Sequence, residues 1–256
     1  MPENMWMVRA GRAGRLFDDF IEKNHVSIGL GEAIGKIRSN VTRADVVELY
    51  RGVYPSWSDG KVVNAAGQLY RFHAEIKKGD TVATYDPSIR RYVLGKVTGD
   101  AEWIEDGGQG CAFPRAVTWT LHVPRDALSV TTTNTLGAIQ TLFLLNEDAA
   151  AELRQLAVPL AAPDDAEPAP ASKAPAKDAT SIDDIREESI EKAGELIEDH
   201  ITKLDPYELQ DLVAGILRAM GYKTRVSGPG ADRGVDIFAS PDGLGLQEPR
   251  ILSHVG

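Results

Sequence analysis

The sequence has a single cysteine, Cys111, in 256 residues, so neither an intrachain disulfide nor a cysteine-rich zinc site can form. No apolar run approaches the roughly 20 residues that span a bilayer. The N-terminus, with charges at Glu3 and Arg9 and no long apolar core, is not a secretory signal. A cytoplasmic location is the default that follows. Histidines are few and scattered: His25, His73, His122, His200 and His254 show no metal-ligand spacing. A basic surplus is missing too, because the formal net charge is −10, which on its face argues against a nucleic-acid partner. The charge is unevenly placed, however. Residues 1–156 hold 18 Lys and Arg against 19 Asp and Glu, whereas residues 157–256 hold 10 against 19. The acidic excess belongs to the C-terminal part, and the nearly neutral N-terminal part can still present a basic face.

A hydrophobic content of 43% and a charged content of 26% are ordinary for a soluble globular protein. The length suffices for one large domain or two modest ones. The clearest boundary is the segment 157–180, built from Ala, Pro, Asp, Glu and Lys without an aromatic residue or any periodicity. Such a composition cannot bury enough apolar surface to offset its ordering entropy, so an extended, semi-rigid linker is expected there.

Before the linker, Met5–Arg9 and His25–Leu30 read as short strands around a helix at about Gly14–Lys23. Thr42 is the expected N-cap of a helix carrying Val46, Val47, Leu49 and Tyr50. A second helix is expected over Gly67–Ile76, with Leu69, Phe72 and Ile76 on one face. From Gly79 the pattern changes to strands at Thr81–Tyr85, Arg91–Thr98, Ala116–Val123 and Ile139–Leu144. Short strands joined by Gly and Pro turns, with two or three helices at one side, predict a small α+β barrel over residues 1–156.

After the linker, Ile182, Ile185, Ser189, Leu196, Ile197 and Ile201 lie along an acidic helix within 181–203, to be read first as a solvated linker helix. Asp205 as N-cap and Pro206 at the first helical position then open another helix, with Leu209, Leu212, Val213, Ile216 and Leu217 at helical spacing and Gly221 at its end. Tyr222–Ser227 reads as a strand, Gly228–Gly234 as a turn, and Val235–Ser240 as the next strand.

The order of helix, Gly221-Tyr222, strand, Gly-rich turn and Gly234-Val-Asp-Ile237 resembles the start of the Mrr-type restriction endonuclease domain, of the PD-(D/E)xK nuclease fold. The likeness covers residues 204–256, which would form part of an α/β domain. It implies Mg²⁺-dependent hydrolysis of phosphodiester bonds in double-stranded DNA, with Asp236 as the metal-binding aspartate and Gln210 at the place of a helix Glu or Gln that assists the site. Spacing alone leaves Asp236 open to an ordinary strand-edge role, and Asp232 reads as a turn residue. Relatives follow with Glu-x-Lys or Gln-x-Lys on the next strand. Here those places fall near His254 and Gly256, so a truncated and inactive nuclease is expected. The likeness also allows a homodimer, since cutting both strands usually takes two active sites.

The N-terminal part resembles the EVE/PUA-like modules found ahead of restriction nucleases. The residues that carry the likeness are Trp6-Met-Val-Arg-Ala-Gly11, Ile28-Gly29, the Gly79-Asp80 turn with Thr81–Tyr85, and Asn134-Thr-Leu-Gly137. Such modules hold a modified base, often a methylated cytosine, flipped out of the duplex. A flipped base needs an aromatic wall and a few polar groups. Trp6, Trp57, Trp103 and Trp119 are candidate walls, with Tyr54 and Tyr85 behind them. Trp57, in a Pro-Ser-Trp-Ser loop, is the strongest, while Trp6 and Trp119 alternate as core residues do. Leu30 stands where relatives often place Trp. Arg9, Arg12 and Arg15, spaced by three, suit a phosphate backbone or, equally, solvated charges at a helix start. The stretch His25–Gly31 lacks the G-x-G-x-x-G spacing of a dinucleotide loop.

Overall fold

The computed structural model describes residues 3–29, 34–35, 37, 40–104, 112–138, 140–160, 182–227 and 236–253, with the side chains of 182–188, 191 and 192 outside the description. Leu30, the turn 228–234 with Asp232, most of the expected linker, and His254 and Gly256 therefore lie outside the described residues. The chain divides into two compact units, residues 1–191 and 192–256. No helix among the described residues is long and apolar enough to cross a membrane.

The first unit is built on one mixed sheet. Its strands are β1 (Met5–Val8), β2 (His25–Val26), β3 (Thr81–Asp86), β4 (Arg91–Ala101), β5 (Arg115–Pro124), β6 (Leu142–Leu144) and β7 (Val158–Pro159). They are ordered β2-β5-β4-β3-β1-β6, with β7 added beside β5. β1 runs parallel to β3 and antiparallel to β6. The sheet curls as a half-barrel, confirming an α+β fold. Among the described residues no ladder joins β6 to β2 or β7. β7 also gives two residues of the expected linker to the sheet, opposite Leu121 and His122.

Both faces are covered, which explains why all four residues of β1 are buried. Trp6 and Val8 face a core shared with α1 (Phe17–Glu22), α2 (Arg43–Val53) and α3 (Asp59–Tyr70). Met5 and Met7, one step out of phase, face a second core under α4 (Val130–Leu136) and α5 (Glu147–Leu156). Thr42 caps α2 in a reciprocal capping box with Asp45. The helix expected at about Gly14–Lys23 is α1, which starts only at Phe17, because Gly11, Ala13 and Gly14 have φ of 72°, 48° and 71° and confine residues 12–14 to a tight turn before it. The helix expected at Gly67 starts earlier, at Asp59, capped by Ser58, and closes in a π-turn over Arg71–Glu75. Neither α4 nor α5 was expected. Glu152 of α5 holds the start of α4 by accepting from the Ser129 N–H at 2.6 Å and from the Ser129 hydroxyl at 2.7 Å, with the Thr132 hydroxyl as a third donor.

In this unit His25 is buried with Nε2 3.0 Å from Asp19. Burial lowers its pKa, Asp19 opposes, Lys23 adds to the lowering, and the net shift is downward from 6.5. Burial and Arg91 lower His122 as well. The unfolded chain takes up these protons near pH 6.5 while the folded unit resists, so stability falls as pH drops below that value. All four tryptophans lie between residues 6 and 119. Indole fluorescence should thus show an unfolding midpoint lower at pH 5.5 than at pH 7.5, and His25→Gln/His122→Gln should flatten the difference. An unchanged slope in the double variant would contradict the assignment.

The second unit contains the end of α6 (Ile182–Ile201), then α7 (Pro206–Ala219) and an antiparallel sheet ordered β10-β9-β8, from β8 (Lys223–Val226), β9 (Ile237–Ser240) and β10 (Ile251–Ser253). Asp205 caps α7 by accepting from the Tyr207 and Glu208 N–H groups, and Glu208 returns the bond. Gly221, at φ 94°, ends the helix as its left-handed residue. Ala214 and Leu217 of α7 pack on Ile237 and Ala239 of β9. Ile190, Ile197 and Ile201 of α6 are exposed.

Candidate functional site

Asp236 stands immediately before β9. Its N–H donates to the Ser253 carbonyl at 3.0 Å, and its carbonyl accepts from the Ser227 N–H at 2.8 Å. Tied on both sides to neighbouring segments, the backbone fixes where this half-buried carboxylate starts. Gln210 lies on the face of α7 that also buries Ala214 and Leu217, is 7% exposed, and has no hydrogen-bond partner for Oε1 among the described residues. A buried amide oxygen without a partner is costly and marks a place where a donor or a cation would be welcome. Carboxylate and amide oxygens are hard donors of the kind Mg²⁺ prefers. Even so, among the described residues no three His, Cys, Asp or Glu side chains converge. The described donors do not make up a divalent-metal site.

In the first unit, Trp57 precedes the Ser58 cap of α3, in a short loop as expected. It is half-buried and stacks on Tyr54, with centroids 4.1 Å apart and planes 15° from parallel. The Lys61 ammonium sits 3.9 Å from the indole centroid. Tyr50, one helical turn before Tyr54, is 6.2 Å from Trp57 and wholly buried. Burial drives its hydroxyl pKa far above the ordinary range, with a smaller push from Tyr54, and its oxygen has no partner among the described residues. The sequence places Tyr50 on the helix without linking it to Trp57, although it stands one helical turn before Tyr54, and Lys61 is not singled out.

Trp6 is a correction. It is 3% exposed, and its indole N–H donates to Asp80 at 3.1 Å, so its ring fills the core and offers no open wall. Trp119 is buried likewise and donates to the Phe20 carbonyl at 2.9 Å. Arg9 is half-buried at the end of β1, whereas Arg12 and Arg15 are exposed on the tight turn that follows. The Arg15 side chain lies over Gly11, where a Cβ would meet Arg15 Cγ at 3.0 Å.

A restriction endonuclease family model matches residues 201–253, the stretch that carries Gln210 and Asp236. No curated protein and no solved structure matches the chain. A second family model, described as a domain of unknown function (DUF8426), matches residues 6–146, more than half of the sequence, and the chain belongs to that family.

Proposed function

We propose that the chain is a DNA-restriction protein of the Mrr type, whose first unit reads a modified base and whose second unit carries the Asp236 part of a phosphodiester hydrolase site. What supports the nuclease part is the agreement between the restriction-endonuclease match over 201–253 and the two-sided backbone anchoring of Asp236. Mg²⁺ is the cation proposed for the intact site, with Asp236 as a ligand and Gln210 as the helix residue that assists it.

What supports base reading by the first unit, proposed as EVE/PUA-like, is the Tyr54–Trp57 stack. A flipped methylated base would lie on the Trp57 face that Lys61 now covers, and the flexible ammonium would turn to a phosphate. Arg9, Arg12 and Arg15 would follow the backbone, which positions a duplex without reading it. Fluorescence anisotropy with duplexes that differ by one 5-methylcytosine tests this. Binding should be about tenfold tighter to the methylated duplex, and Trp57→Ala should remove the preference, in line with roughly 1–3 kcal/mol per stacked base. Equal, weak binding to both duplexes would end the reader proposal.

A second reading, a binding protein for modified nucleic acid (RNA included) with a vestigial nuclease segment, is favoured by the lack of a converging His, Cys, Asp or Glu cluster among the described residues. Supercoiled plasmid with Mg²⁺ separates the two. Nicking that disappears in Asp236→Asn would establish a working nuclease, and the absence of nicking together with tighter binding to modified RNA would favour the second reading. Sedimentation of the same samples reads out the homodimer that two-strand cutting would call for.

A further inference from the structure

The loop between β9 and β10 carries the two most exposed large apolar residues described in the chain, Leu244 at 78% and Leu246 at 83%. A single exposed leucine is unremarkable. Two on one rigid tip call for an account, and this tip is rigid. The Asp242 carboxylate accepts from the Leu244, Gly245 and Leu246 N–H groups at 3.1, 2.9 and 2.9 Å, and from the buried Ser240 hydroxyl at 3.0 Å. A desolvation penalty on this carboxylate is outweighed by those bonds, so its pKa lies below the ordinary aspartate value. Gly243 and Gly245 adopt φ of 74° and 77°. At Gly245 a Cβ would fall 2.7 Å from Phe238 Cζ, so the loop closes directly onto that ring. The backbone is tied down, and the leucines are held outward.

Cations flank the tip. Lys223 and Arg225 are exposed on β8, paired with Ser240 and Phe238. The Lys223 stem lies against Gly243, 2.9 Å from where a Cβ would sit. Arg250 closes the loop on its far side, bonded to Glu248. The negative charge of Asp242 is turned inward on backbone N–H groups. Asp236, at the other end of β9, precedes Ser240 by four residues, about 13 Å at roughly 3.3 Å per residue. The loop tip lies beyond, so a duplex laid along β9 with a phosphate at Asp236 would meet the leucines about four to six base pairs away, at about 3.4 Å per pair.

We propose that this loop is a wedge for duplex DNA, with Leu244 and Leu246 entering an opened base step and Lys223 and Arg225 resting on the phosphates beside it. The proposal builds on the nuclease reading of the second unit and adds to it a distinct contact surface. Charge selects DNA over a second copy of the chain. A symmetric leucine-to-leucine contact would bring Lys223 and Arg225 of one copy against those of the other, whereas a polyanion matches them.

The test uses the full 256-residue chain and a set of 24-base-pair duplexes with 2-aminopurine at successive TA steps, the steps most easily unstacked. Wild type should raise the 2-aminopurine fluorescence several-fold. Leu244→Ser/Leu246→Ser should abolish the rise and weaken binding about tenfold or more, as loss of two buried leucines would. Lys223→Ala/Arg225→Ala should flatten the slope of log affinity against log salt by about 2, close to 0.9 per phosphate contact. All four positions are exposed, so the variants should keep the wild-type circular dichroism. If the leucine variant binds the duplexes and unstacks them as wild type does, the wedge is wrong while the DNA reading stands. If wild type binds no duplex, the DNA reading falls and the wedge with it. If the leucine variant only turns a dimer into a monomer, the loop is a contact between copies and the proposal is overturned.

Discussion

Gly95→Ala is expected to lower the tryptophan-detected unfolding midpoint by about 10 °C, corresponding to about 3 kcal/mol in a unit of this size. Gly95 sits where the β4–β5 register shifts, between Leu94 opposite Leu121 and Gly95 opposite Trp119. An added Cβ would lie 2.4 Å from Val117 Cγ1, 2.7 Å from Trp119 Cε3 and 2.9 Å from the Thr118 carbonyl oxygen. None of the three can yield cheaply. The oxygen belongs to the sheet backbone, Val117 is in the core, and the indole is pinned through its N–H to Phe20. Gly99→Ala, on the same strand, is the control, because its Cβ would meet Ala116 Cβ at 3.3 Å and the Ala116 backbone N at 3.9 Å. It should shift the midpoint by no more than about 2 °C. Similar midpoints for the two variants would show that the bulge at Gly95 relaxes.

Much of this fold can be read from local pattern. The short apolar run Met5-Trp-Met-Val8, the Thr42 cap, and the Asp205-Pro206 start with Gly221 at the end are each settled within a few residues, and each appears where those residues put it. What escaped was decided at longer range. The sequence of α4, Val130-Thr-Thr-Thr-Asn-Thr-Leu136, is dominated by β-branched residues with poor helix propensity. It is helical because the Ser129 cap is itself gripped by Glu152, some 20 residues away. α5 was different. Asn146 followed by Glu147, Asp148 and three alanines is a strong local helix signal. The open edge of the half-barrel depends on which strands pair, and no local pattern contains that.

The site divides in the same way. Asp236 and Gln210 were legible through their order in a helix-strand-turn-strand run, but that Gln210 Oε1 has no partner among the described residues is a tertiary fact. Trp57 was separable from Trp6 by its loop context, and the structure keeps that distinction: one indole is stacked at the surface and the other is fixed to Asp80 inside the core. The leucine loop gave no signal, because Ser-Pro-Asp-Gly-Leu-Gly-Leu reads as an ordinary turn until the inward-facing Asp242 is seen holding it.

Arg115→Met is the second substitution expected to have a large effect, about 3 kcal/mol, and it probes a residue that composition would assign to the surface. Along β5 the alternation buries Arg115, Val117 and Trp119 and exposes Ala116, Thr118 and Thr120. The guanidinium is therefore committed to the interior with no accessible surface. Its Nη1 donates to the Gly99 carbonyl at 3.0 Å, and its Nη2 to those of Phe72 and His73 at 2.8 and 3.2 Å. Two of these carbonyls lie in the π-turn that ends the third helix, a place where aligned backbone dipoles favour a cation. Burial lowers the Arg115 pKa, Asp100 and Asp80 oppose it, and the group stays cationic. Asp100 is 3.9 Å away and almost fully exposed, so the carbonyls, more than that ion pair, hold the charge. Methionine keeps much of the stem volume but supplies no donor, which leaves buried carbonyls to lose about 1–3 kcal/mol each where nothing replaces the bond. Arg115→Lys should fall between the two, because one ammonium cannot span β4 and the π-turn at once. If Met matched wild type while Ala lost several kcal/mol, packing of the stem would be the contribution that matters, and the π-turn would hold without its cation.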